Sequence, residues 1–111
     1  MVTTNDYDQK QIITGYTTPG SITTVLTIEA DNIHGGIINI LNTDPASNLT
    51  WQVDSYAHPL GIIPSHEKEA YALAPTMQDS FLLDGKVRGK YVVFVQSGAI
   101  PCAYRIEWIA D

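Results

Sequence analysis

The sequence predicts an all-β fold: two antiparallel sheets packed as a β-sandwich, most simply a jelly roll, of about eight strands. Three observations predict it. The chain carries 13 Ile, 7 Val and 11 Thr among its 111 residues, and β-branched side chains suit a pleated surface better than a helix. Apolar and polar residues alternate with a period of two in several segments. Turn signals recur roughly every ten residues, the rhythm of packed antiparallel sheets rather than of strands joined by crossover helices. A closed barrel fits the same spacing.

The elements follow in order. Residues 1–9 are polar, with Asn5, Asp6 and Asp8, and read as an N-terminal arm or irregular lead-in. Gln11 to Thr18 is the first strand, stopped by the turn signal Pro19-Gly20. Ser21 to Ala30 follows, with Ile22, Leu26, Ile28 and Ala30 on one face and Thr23, Val25, Thr27 and Glu29 on the other. Asp31-Asn32 and His34-Gly35-Gly36 break the chain before the short apolar strand Ile37 to Leu41. Asn42 to Asn48 is a loop by composition. Leu49 to Tyr56 places Leu49, Trp51 and Val53 on one side. The segment His58 to Pro64 is excluded from any central strand, because its two prolines lack the ladder donor. Lys68 to Leu73 reads as a strand, since the stretch between Pro64 and Pro75 is too short for an independent helix. Ser80 to Leu83 turns at Asp84-Gly85 into Lys86 to Gln96, expected to be the longest strand. Ala103 to Ile109 ends the chain, and its expected place is an exposed sheet edge.

One domain spanning 1–111 accounts for this length. Twelve acidic against six basic side chains give a formal charge of −6. That balance argues against sequence-independent nucleic-acid binding and against an anionic membrane surface. No apolar run approaches the ~20 residues of a membrane-spanning helix, and Met1 to Asp8 lacks the pattern of a secretory signal. The lone Cys102 cannot form an internal disulfide; it reads as a small buried hydrophobe in a protein made in a reducing cytoplasm.

Catalytic constellations are missing from the sequence. His34, His58 and His66 stand at no metal-ligand spacing, and Ala70 occupies the position where His66-Glu67 would need a second histidine. Lys86-Val87-Arg88-Gly89-Lys90 fails as a phosphate loop, with Tyr91 where Ser or Thr must bind magnesium. No serine sits in a glycine-flanked elbow. The expectation is a non-enzymatic protein with no cofactor and no metal. The sequon Asn48-Leu49-Thr50 reads as plain loop.

Two features rise above this background. Lys86, Arg88 and Lys90 are half of all basic residues, and on one strand they would share a face within about 14 Å. They read either as edge-protecting lysines or as a basic stripe that docks on an acidic protein surface. The aromatic residues Tyr56, Tyr71, Tyr91, Tyr104 and Trp108 divide between core and interface, and Tyr104 and Trp108 on the terminal strand are the candidates for a homodimer contact.

By its length, its polar start Met1 to Gln9 and its strand-dense tail Asp79 to Ile109, the chain resembles the decoration (cement or staple) proteins of tailed bacteriophage heads. In particular it resembles the jelly-roll staple of short-tailed enterobacterial phages. It implies a non-enzymatic viral structural protein on the outer capsid surface of the virion, with the major coat protein as partner, often acting as a dimer. The alternative is a carbohydrate-binding β-sandwich that offers exposed Trp or Tyr faces to sugar rings.

Overall fold

The computed structural model describes residues 2–5, 10–30, 35–57, 65–83 and 89–110. These form nine strands and no helix: β1 (Val2–Asn5), β2 (Lys10–Tyr16), β3 (Thr23–Ala30), β4 (Gly36–Asn42), β5 (Leu49–Ala57), β6 (Ser65–Leu73), β7 (Gln78–Leu83), β8 (Gly89–Gln96) and β9 (Ala103–Ala110). One sheet runs β1-β3-β8-β5-β6 and the other β2-β9-β4-β7. Strands β2 to β9 pair as 2 with 9, 3 with 8, 4 with 7 and 5 with 6, all antiparallel. From β2 on, successive strands therefore alternate between sheets except at the central β5–β6 hairpin, as if one long hairpin had been rolled up. That is a jelly roll. The short β1, inside the polar 1–9 segment, lies parallel to β3 and extends the first sheet by one strand.

Alternation fills the core from both sheets. Leu49, Trp51 and Val53 of β5 and Tyr91, Val93 and Val95 of β8 meet Ile38 and Ile40 of β4 and Ile106 and Trp108 of β9. Gly36 makes room for the largest of these. A Cβ on Gly36 would lie 2.6 Å from the Ile109 carbonyl oxygen and closer still to the Trp108 ring. In β3 the simple alternation fails. The register shifts between Thr24 and Leu26, so Val25 is a bulge residue with no partner of its own. Val25 and Leu26 are both buried, while Ile22, expected on the core face with Leu26 and Ile28, is turned outward and is 67% exposed. A one-residue bulge reverses the facing of everything before it.

The terminal strand also departs from expectation. β9 lies between β2 and β4 in the middle of its sheet, not at an edge, and Tyr104 and Trp108 are core residues with almost no exposed surface. They are unavailable to a partner chain, which corrects their assignment as interface candidates. Lys68 to Leu73 is strand, as expected, and lengthens to Ser65–Leu73. β5 and β6 have nine residues each, against eight for β8 as described. His34, the segment His58 to Pro64, the turn Asp84-Gly85, Lys86 and Arg88 lie outside the described residues.

Where β6 and β7 flank the same opening between the sheets, a charged clamp ties them. Lys68 Nζ lies 2.9 Å from Asp79 Oδ2, and the Trp51 indole donates to the same oxygen at 3.0 Å. The Lys68 ammonium also sits 5.3 Å from the Trp51 ring centroid and 5.0 Å from that of Tyr71. Desolvation alone would raise the Asp79 pKa, but Lys68, the Ser80 amide and the Trp51 N–H outweigh it, and the group titrates below the ordinary aspartate range. A depressed folded-state pKa stabilises the fold above the unfolded value and loses that contribution as pH falls through the folded one. The melting temperature should therefore drop as pH falls below about 4, and Asp79→Asn should flatten that acid limb while lowering stability at neutral pH. An unchanged acid limb in the variant would show that the clamp contributes nothing.

Candidate functional site

The four connections at one end of the sandwich are tied into a single polar knot around Asn42. Its side-chain amide donates to Ser47 O at 2.8 Å and to Leu73 O at 3.0 Å. Its Oδ1 accepts from the Asp44 amide at 2.9 Å and from the Cys102 thiol at 3.2 Å. Its backbone is bound as well, the N–H to Met77 O and the carbonyl to the Thr76 N–H. Asn42 is fully buried, so these bonds replace water for three different loops at once.

Asp44 organises the loop after β4. Its Oδ2 accepts from Ala46 N and Ser47 N, and its Oδ1 from Ala103 N at 3.3 Å. The Ala46 and Ser47 amides hold its carboxyl below the usual aspartate range. Burial, followed by the Asp44 charge, pushes the Cys102 thiol up. Cys102 is thus a buried hydrogen-bond donor and a poor nucleophile. On the other flank Thr17 bonds Cys102 through backbone and side chain, and its hydroxyl meets Ser97 Oγ.

Two turns of similar build complete this end. Thr18-Pro19-Gly20-Ser21 closes with Ser21 N to Thr18 O, and Gly20 carries the positive φ of 75° that such a turn needs. Ala74-Pro75-Thr76-Met77 closes the same way, but Thr76 holds φ 69°. A β-branched residue in that region is strained by about 1–3 kcal/mol. Its N–H is the one that bonds the Asn42 carbonyl, so the knot holds the strained turn in place.

Large apolar side chains stand exposed at this end beside the exposed Thr18, Ser21, Thr43, Asn48 and Thr76. Tyr16 is 73% exposed and Ile100 66%, and Met77 and Ile22 are exposed beside them in the chain's path around the same end. Half of the eight exposed large hydrophobic residues among those described thus belong to these connections or border them. Sequence reading missed this surface. The signal was an isoleucine stranded in the turn-rich run Ser97-Gly98-Ala99-Ile100-Pro101, where no core face could claim it.

Of the basic trio, only Lys90 is described. It stands toward the opposite end of β8, opposite Glu29 of β3 and Tyr56 of β5 in register, with its ammonium 5.0 Å from the Tyr56 ring centroid. Neither tryptophan offers a platform for sugars, since both are wholly buried. Among the described residues no three His, Cys, Asp or Glu side chains gather at a metal-binding distance.

The fold and this loop end define a jelly-roll β-sandwich domain with a braced end that exposes several large apolar side chains. No family model matches the chain, and no curated protein matches it. Solved structures do. PirA is 19% identical, with 91% of this chain and 94% of that chain covered and a TM-score of 0.67. The Yersinia pseudotuberculosis-derived mitogen is 8% identical, with 90% and 84% covered and a TM-score of 0.62. A structure of Bacillus endospore appendages, described as disulfide-linked pili, is 13% identical over 90% and 84%, at a TM-score of 0.56. At these identities the likeness is one of fold. A mitogen and a pilus on one scaffold illustrate that a fold does not choose its function.

Proposed function

We propose that this protein is a non-enzymatic structural protein that binds the outer surface of a tailed-phage head and clamps neighbouring coat subunits. The observation that carries this reading is the loop end: four connections locked by buried hydrogen bonds, presenting Tyr16 and Ile100 to solvent. Exposed aromatic and aliphatic side chains on a hydrogen-bonded backbone require little backbone ordering on docking, which makes them effective anchors. A clamp must hold more than one subunit, so modest contacts at separate places add through avidity. Lys86, Arg88 and Lys90 serve as the second place, an electrostatic guide toward an acidic coat surface.

The test is co-sedimentation of the purified protein with heads assembled from the coat protein of the same genome. Saturable binding is expected. The double variant Tyr16→Ala/Ile100→Ala should lower affinity by tenfold or more, about the loss of one anchor, with the melting temperature unmoved because both side chains are already exposed. Reversing the three basic residues to Glu should weaken binding more at low salt than at high salt. No association of the parent protein with heads would overturn the reading.

A further inference from the structure

The outer face of the five-stranded sheet carries a pocket of about 150 Å³ that neither the core nor the loop end requires. Its floor is a cross-strand quartet: Gln96 of β8 opposite Thr50 of β5, and Phe94 opposite Gln52. Its walls are Ile22 and Ala70. Two irregularities of the ladder build it. The Val25 bulge is what turns Ile22 outward to form one wall. On the other side the β5–β6 register slips between Trp51 and Val53, whose partners are Tyr71 and Lys68, and Ala70 falls within that slip. Bulges that re-aim side chains are a recurrent feature of binding sites. The Gln52 amide is oriented by a 2.9 Å bond from its Nε2 to Asp54 Oδ1.

We infer that this pocket binds one neutral sugar residue, with Phe94 under the apolar face of the ring and Gln52, Gln96 and Thr50 toward its hydroxyls. The chemistry selects this class. An apolar side chain from a partner would strip water from the Gln96 amide and the Thr50 hydroxyl without replacing their hydrogen bonds, a loss of roughly 1–3 kcal/mol for each. A sugar ring presents C–H groups on one face and hydroxyls around its rim, matching the apolar Phe94 with the amides and hydroxyl that surround it. No cationic side chain lines the pocket, and the chain is acidic overall, so a sulfated or carboxylated sugar is disfavoured. The volume is below the ~300 Å³ of typical pockets for larger ligands, which limits occupancy to a single ring. The inference is independent of head binding.

The experiment is a nuclear magnetic resonance titration of labelled protein with the methyl glycosides of glucose, galactose, mannose and N-acetylglucosamine. N-acetyl-leucinamide serves as an apolar side-chain probe. At least one glycoside should shift the side-chain amide signals of Gln52 and Gln96 and leave that of buried Asn42 in place. Phe94→Ala should weaken that binding by about tenfold or more. Gln96→Ala, a change on the outer face, should weaken it with the melting temperature preserved, which separates lost binding from lost folding. No shifts with any glycoside, shifts confined to other surfaces, or tighter binding of N-acetyl-leucinamide in this pocket would each overturn the assignment.

Discussion

Trp51→Ala is expected to lower the unfolding free energy by about 4 kcal/mol, at the upper end of what a single core truncation costs. Trp51 is wholly buried near the start of β5, and its loss leaves a cavity that the sheets on both sides cannot close. It also removes the indole donor to Asp79 and the ring beneath Lys68. Against the ~5–15 kcal/mol that holds a domain of this kind together, the variant should sit near its unfolding transition at room temperature. Urea denaturation followed by circular dichroism reads this as a fall in the midpoint. Paired phenylalanine variants separate volume from hydrogen bonding. Trp51→Phe loses a hydrogen bond to a carboxylate, worth about 1.5–3 kcal/mol. Trp108→Phe removes an indole N–H that is buried without an acceptor among the described residues, so it should be the milder change of the two. A larger loss for Trp108→Phe than for Trp51→Phe would contradict this account.

Much of the fold was legible in the sequence because alternation reports directly which face of a strand is buried. Leu49, Trp51 and Val53 read as core and are core. Prolines at 64 and 75 argued Lys68 to Leu73 into a strand, and it is one. Alternation does not report lateral position. A strand buried on one face reads the same at an edge as in the middle, and so β9, with Tyr104 and Trp108, was misplaced. Nor does it announce a bulge. Thr24, Val25 and Leu26 carry no glycine or proline to mark the slip that exposes Ile22. The loop end was hidden for a different reason. The bonds of Asn42 join residues 5, 31 and 60 positions away, and only the jelly-roll topology brings those loops together. On the sequence, Asn42 is one polar residue opening a polar loop.

That residue should prove the most consequential polar side chain in the described structure. Asn42→Leu keeps the branched side-chain skeleton and removes every side-chain bond. The Leu73 carbonyl then loses its amide donor in a buried setting, Ser47 O loses a donor, and the Cys102 thiol and Asp44 amide lose their acceptor. Each buried group left unpaired costs about 1–3 kcal/mol, and local relaxation recovers part of it, so a net loss of roughly 3 kcal/mol follows. The change should also be local in character. Thr76 is held at its strained φ by the Asn42 backbone, which stays in place only if β4 keeps its end fixed. Hydrogen exchange should therefore accelerate at the amides of Ser47, Met77 and Cys102 well before those of the central strands β8 and β9. On the proposed function, head binding should weaken beyond what the stability loss explains, because Tyr16 and Ile100 would no longer ride on a braced end. If exchange instead accelerates uniformly over both sheets, Asn42 is an ordinary contributor to global stability and the loop end is braced by something else.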